Sequence, residues 1–377
     1  QKTLSKPMKT LGNCDRIKDT GESSQSPKGS VFMQTIEMLQ SLCQVDGVSG
    51  AEDRALEVAE KICSDLGHCE RTVHKSLICQ VMPPQQGRPH LLLDAHIDEI
   101  GLIVTHIEEG GFIRVGQAGG VDRRLVMGSP VVVHAYSGDI PGVIGSEPPH
   151  IQKGEKKNPT IDEIWIDVGM DTEEARQKID LGATVSFVGP FTQLMNGLVS
   201  SKAFDDRCCC VAVIQAAQQI KNYWREHHLE PMGLTVLLSS QEETGGLGAL
   251  TASYAIEPTQ AIAVDVTFGS TPEIADKHVA QVGKGPAVGI GSLLSRRMSR
   301  EIMAAAEEAG IAFQTEVLSG RGTGTNADSI VKTRAGVESC CVSIPLRYMH
   351  TPIEVIDPQD VENTARLLAA YAQRIGR

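Results

Sequence analysis

Five short segments carry residues able to hold metal ions or move protons: His96-Ile97-Asp98, Phe204-Asp205-Asp206-Arg207, Gln241-Glu242-Glu243-Thr244-Gly245-Gly246, Val264-Asp265-Val266, and Arg347-Tyr348-Met349-His350-Thr351-Pro352. His96 follows the apolar run Leu91-Leu92-Leu93, so it stands where a strand ends and an imidazole can point into a cleft. Asp98, two residues on and on the same side, can accept the other ring proton and fix the tautomer. Asp205 and Asp206 precede a predicted helix and, read alone, form an N-cap with an ion-paired neighbour. Glu242 and Glu243 follow the strand LTVLLSS, and two adjacent carboxylates beside a buried strand are costly unless cations offset them. Asp265 is a lone acid in an apolar strand and needs a partner. His350 follows CCVSIP, a second histidine at a strand exit.

Each segment is ambiguous singly. Together they deliver two histidines and three carboxylates to strand or helix ends on one edge of one sheet. That mixed nitrogen and oxygen set suits zinc, cobalt or manganese, and it holds two ions when one carboxylate bridges. Two ions roughly 3.5–4 Å apart can activate a shared water and polarise a carbonyl. The spare carboxylate of the Glu242-Glu243 pair is then available as general base.

The elements that must position these residues are readable in outline. Helices are expected from Val31 to about Cys43 and from Ala51 to about Leu66, the second opened by a capping box of Ser49 with Glu52. Short apolar strands follow at Leu77–Val81 and His90–Ala95. Between about Thr105 and Val199 the texture changes to β-rich runs broken by Gly and Pro, the pattern of a small β-barrel domain inserted at 104–198. Its polar stretch EPPHIQKGEKKNPT reads as an exposed loop. From Asp205 onward strands and helices alternate: helix near 206–222, strand Leu234–Ser240, helix near 246–255, strand Ala261–Val266, helix near 295–309, strand Phe313–Leu318, helix near 328–335, strand Ser339–Ile344, and a last helix from Pro358. That alternation implies an α/β fold, a mixed central sheet flanked by helices, with residues 31–103 and 199–377 forming the catalytic domain. In such sheets chemistry sits past the carboxyl ends of the strands. Residues 1–30 are polar and read as a mobile tail.

Composition narrows the function classes. The chain has 377 residues and a formal charge of −12, from 35 basic against 47 acidic side chains, which argues against general affinity for nucleic acid or anionic lipid. The longest apolar runs are strand-sized, well short of the roughly 18 residues that a membrane-spanning helix needs. The ten cysteines include Cys208-Cys209-Cys210 and Cys340-Cys341 but no CxxC pair, so zinc fingers and disulfide frameworks are disfavoured and a reduced cytoplasm is favoured. His106, His134, His150, His227 and His228 lie away from the strand-end cluster and read as structural. Gly283-Lys284-Gly285 lacks the strand and helix context of a dinucleotide site and reads as a turn.

The segments DAHIDEIGLIVTHIEEGGFIRV, GGVDRR, EPPHIQK, KAFDDR, QEETGGLGA, AVDVT, GKGPAV and IPLRYMHTPIEV, in this order, resemble the TET-type and glutamyl aminopeptidases. These are dinuclear metallopeptidases, some of which have been labelled cellulase or endoglucanase. The likeness runs from about Val31 to the C-terminus. It implies that His96 and Asp265 bind one ion, that Glu243 and His350 bind the other, and that Asp205 bridges them. Glu242 would be the general base and Asp98 would orient His96. The resemblance further implies two divalent ions per subunit, peptide substrates with a free N-terminus, and a barrel used in self-association, from dimers to a tetrahedral dodecamer. One departure is Asn326 in SGRGTGTNADS, where relatives often carry Asp. The N-terminal segment is also longer than the family's usual start.

Other readings remain. The same two-metal chemistry could serve an N-acyl amino acid deacylase or a carboxypeptidase. A glycoside hydrolase would need carboxyls roughly 5–9.5 Å apart across a sugar, and adjacent glutamates on one backbone rarely face each other so. Aromatic residues make up 4% of the chain, which leaves few platforms for sugar stacking. A catalytically inert scaffold would have no use for the complete ligand set.

Overall fold

The computed structural model describes residues 27–124, 126–146, 150, 159–229, 232–272, 274, 279–320 and 322–376. Most of the expected tail, and the greater part of the EPPHIQKGEKKNPT loop, lie outside them. The larger unit is built on an eight-stranded mixed sheet in the order His68–Arg71, Leu77–Met82, Gly233–Ser239, His90–His96, Gln260–Phe268, Glu338–Leu346, Ala287–Gly291, Gln314–Leu318. Its four central strands, Gly233–Ser239 through Glu338–Leu346, are mutually parallel. Their carboxyl ends therefore emerge on one edge, and that edge carries the five segments.

Side chains alternate across the sheet, as strand geometry demands. Leu91 and Leu93 join the core formed with helices Pro27–Cys43, Asp53–Cys63, Phe204–Glu226, Arg296–Glu308 and Pro358–Ile375, whereas Leu92 packs with Ala249, Ala252 and Ile330 on the opposite face. Each such fully buried Leu stabilises the fold by about 1.5–3 kcal/mol. Helices thus cover both faces, as the alternation of elements implied.

Six antiparallel strands close a barrel in the order Gly101–Ile107, Ile113–Ala118, Trp165–Asp167, Gly138–Ile144, Pro130–Ala135, Thr184–Phe187. Leu102, Val104, Val131, Val133 and Val185 fill its interior. The intervening residues, such as Ile103 and Thr105, face outward.

Three local readings need correction, and one strand is added. The second helix spans Asp53–Cys63 with Glu52 at its N-cap and no side-chain cap. Ser49 does not box with Glu52; its hydroxyl donates to Asp98, while Glu52 Oε1 accepts the Gly50 N–H at 2.7 Å. The first helix starts at Pro27 rather than Val31. The helix expected near 328–335 is only Ala327–Ile330, ended by turns that lead to Arg334 at φ 53°. Finally, Ala287–Gly291 is a strand although it holds Gly289 and Gly291, because small residues are what fit between Leu318 and Cys341.

Arg207 ties the sheet edge to the N-terminal helices. Fully buried, it donates to the carbonyls of Ile97 at 3.0 Å, Leu42 at 2.8 Å and Val45, and lies 3.5 Å from Glu99. Lys202 completes the network at 2.7 Å from Glu99. Arg207→Met strands these carbonyls and is expected to lower unfolding free energy by about 3 kcal/mol. A denaturant midpoint equal to that of the parent would refute the assignment.

Candidate active site

Parallel strands bring the ligand candidates together from segments far apart in sequence. His96 is the last residue of its strand, and its register partner across the sheet is Ser239, three residues before Glu242. Asp265 lies in the adjacent strand, opposite Ser343. The loop after Glu338–Leu346 carries His350, and Asp205 opens the long helix Phe204–Glu226. Four non-glycine residues beside these positions have left-handed backbones: Ala203 at φ 59°, Gln241 at φ 57°, Tyr348 at φ 63° and His350 itself at φ 62°. Such conformations are disfavoured by sterics and concentrate where packing fixes functional groups.

The central contact is made by Asp205. Its Oδ1 lies 3.1 Å from His96 Nε2 and its Oδ2 lies 3.4 Å from His350 Nε2. One carboxylate thus faces two histidines, as a bridging ligand must. Glu243 Oε1 is 3.5 Å from His350 Nε2, and Glu242 Oε2 is 4.0 Å from His96 Nε2. Donor atoms of His96, Asp205 and Glu243 fall within 4.8 Å of one another, as do those of His96, Asp206 and Asp265. The second grouping adds Asp206 to the residues expected from sequence. Asp206 Oδ2 accepts the His96 N–H at 3.0 Å, and its Oδ1 is buried without a partner.

Supporting groups hold this arrangement. Asp98 accepts the backbone N–H of Glu242 at 3.1 Å and of Glu243 at 3.2 Å, so it positions both glutamates as well as His96. His96 Nδ1 lies 3.1 Å from the Asp98 carbonyl oxygen and 3.4 Å from its carboxylate, so a ring proton there finds its acceptor within that one residue. Glu354, not singled out from sequence, accepts the N–H of Asp205 and of His350, each at 3.0 Å. The signal was present, since Glu354 is a lone acid in the apolar run IEVI, the same pattern that marked Asp265. On the barrel side, Gly119 and Gly120 pass against the cluster. A Cβ on Gly120 would meet His350 Nδ1 at 2.7 Å, and one on Gly119 would meet Glu243 Oε2 at 3.0 Å.

Asn326 is buried beneath the site and donates to Ser239 Oγ at 2.8 Å. It lies among groups that also influence Asp94, whose carboxyl is pushed up to about 6 by burial against the pull of Ser239 and Asn326. The histidines set aside from sequence do lie elsewhere: His134 pairs with Asp139 at 2.9 Å, and His227 stacks on Tyr223. Gly283 and Gly285 form turns whose N–H groups both donate to Asp360. Asp206, Cys208 and Cys209 also cluster, but burial raises both thiols, and a metal would need thiolates.

The electrostatics of the cluster suit a cation. A cavity of about 460 Å³ opens over these residues, and no Lys or Arg is among the described residues that line it. Burial, then the pull of His96 against the push of Asp205, raises Glu242 to about 7. Burial with Asp205 beside it raises Glu243 to about 8. Burial sends Asp265 well above the usual carboxylate range. Burial works against the charge of His350, yet the Asp205 carboxylate lifts it to about 9. For Asp205 burial is outweighed by His350 and His96, which hold it well below its usual value. The carboxylates are short of positive charge, a deficit that bound divalent ions would fill.

A pH dependence follows for the metal-free protein. Glu242, Glu243 and His350 all have folded-state values above their ordinary ones, so the folded state binds their protons more tightly. Their stabilisation is complete at low pH and is lost as pH rises through about 7 to 9. Chelator-treated protein should therefore melt at a lower temperature at pH 8.5 than at pH 6, and divalent ions should stabilise it more at the higher pH. A melting temperature that rises over this window would contradict the described charge balance.

Comparison with known proteins identifies the family. The family model for M42 glutamyl aminopeptidase matches residues 76–367. A lysyl aminopeptidase from Pyrococcus furiosus is 32% identical over 345 residues, covering 90% of this chain and 97% of its own. Among solved structures, an aminopeptidase from the archaeon Desulfurococcus kamchatkensis superposes with a TM-score of 0.82 at 31% identity, covering 92% of this chain and 98% of that one. The TET1 peptidase of Pyrococcus horikoshii, described as able to assemble into a tetrahedron or a large octahedral shell, gives 0.78 at 31% identity, with 90% and 99% covered.

Proposed function

This chain belongs to the M42 glutamyl aminopeptidase family and is an aminopeptidase, and from that premise we propose that it is a two-metal enzyme releasing single residues from the free N-terminus of peptides. His96 and Asp265 would hold one divalent ion and Glu243 with His350 the other, Asp205 being shared. Zinc suits this nitrogen and oxygen set, and cobalt or manganese would also fit. When bound, the ions supply Lewis acidity toward the scissile carbonyl.

The residues of the chain account for the proton movements. Glu242 is raised to about 7, the range that suits a group taking a proton from an attacking water and returning it to the leaving amine. Asp98 holds the Glu242 backbone in place, and Glu354 holds those of Asp205 and His350. The observation that carries this reading is Asp205, whose two oxygens each face a different histidine while Glu242 stands beside them at 4.0 Å.

We further assign residues 104–198 to self-association, from dimer toward a tetrahedral dodecamer. The TET1 relative supports this, and light scattering of the purified protein tests it. The activity is tested with matched free and N-acetylated aminoacyl chromogenic substrates, with and without chelator. Chelator-sensitive cleavage confined to the free series is expected. Equal cleavage of the acetylated series would move the assignment to a deacylase, and release from the C-terminus would move it to a carboxypeptidase.

A further inference from the structure

Beyond the proposed metal ligands, the cavity has a wall that the mechanism does not use, lined by Thr267, Phe268, Glu316, Leu318 and Ser343. Outside the catalytic cluster, Glu316 is the charged residue among the described residues that line it. It sits on the edge strand Gln314–Leu318, opposite Gly289. Its side chain reaches across two intervening strands to the Thr267 hydroxyl, which donates to Oε1. The strands between contribute Gly289, opposite Glu316, and Ser343, opposite Asp265.

The second oxygen of Glu316 is the informative one. Oε2 is buried without a hydrogen-bond partner, and burial raises the carboxyl's pKa against the pull of Thr267 and Ser343. A buried acceptor without a partner is costly, and more so when it is charged. Phe268 at 58% exposure and Leu318, half-buried, present apolar surface along the same cavity. An acidic anchor with apolar flanks matches a side chain built from a methylene stem with a cation at its tip.

Resting on the aminopeptidase reading above, we infer that Glu316 sets the side-chain preference: the pocket takes an N-terminal lysine or arginine, its cation paired with Glu316 and its stem along Phe268 and Leu318. An N-terminal glutamate is disfavoured by like charge at the same position. Glu316 is a specificity-determining residue here, not a member of the proton-transfer machinery.

The test is a kcat/KM panel on Lys, Arg, Leu and Glu aminoacyl p-nitroanilides with the metal-loaded protein and its Glu316→Gln and Glu316→Lys variants. The parent should favour Lys and Arg over Glu by about 100-fold or more. Glu316→Gln should cost about 100-fold on Lys and Arg, mostly in KM, while leaving Leu within about threefold. Glu316→Lys should raise activity on Glu. A parent preference for Glu or Leu would overturn the inference, as would an equal loss on all substrates in Glu316→Gln, which would place Glu316 at the α-amino group. Leu turnover separates the two levels. Cleavage of Leu without a basic preference sinks this inference alone, whereas no cleavage of any free substrate sinks the proposed activity and this inference with it.

Discussion

Glu242→Gln is expected to lower kcat by about 10³- to 10⁴-fold while leaving metal content at its parental level. The amide keeps the shape and the backbone hydrogen bond to Asp98, so the site should stay assembled. It cannot accept the proton that an attacking water must lose. KM should change little, because Glu242 acts in the transition state more than in substrate binding. A loss below about tenfold would mean that another group, with Glu243 the nearest candidate, carries the proton. A loss of metal with activity would make Glu242 a ligand instead.

Asp205→Ala is expected to abolish the shared site. Both histidines lose the carboxylate that each faces, at 3.1 Å and 3.4 Å, and the Glu354 contact to this segment survives only through the Asp205 backbone. Bound metal should fall from two ions per chain to one or fewer. Activity should drop roughly 10⁴-fold, the scale of several kcal/mol of withdrawn electrostatic stabilisation. The unpaired histidines should also lose their raised pKa values, so the remaining ion should bind with a shallower pH dependence. A variant that keeps two ions and a tenth of parental activity would show that Asp205 does not bridge.

Much of the site was readable because buried charge is conspicuous in an apolar strand. His96, Asp265 and the Glu242-Glu243 pair each interrupt or end such a run, and parallel strands necessarily gather those ends on one edge. Asp205 was visible as an acid opening a helix, although its place between two histidines depends on how that helix packs. Glu354 obeys the Asp265 rule yet sits in a three-residue strand beside a motif already rich in candidates. Glu316 gave no such signal: its edge strand alternates half-buried and exposed positions, so it resembles an ordinary solvated acid. Only the tertiary fold shows it crossing the sheet end to Thr267. The Ser49 reading failed for a related reason. Serine followed by glutamate three residues later is a good local cap, but the strand exit at Asp98 offered that hydroxyl a buried carboxylate. Tertiary electrostatics won over local propensity at both places.

The most direct test of the two-metal site is elemental analysis of the purified protein, joined to an activity titration in which chelator-stripped protein is given zinc, cobalt or manganese. Two ions per chain are predicted, with peptidase activity returning only as the second is bound and absent throughout in Asp205→Ala. Full activity in protein holding no metal, or a single ion at saturation, would contradict it.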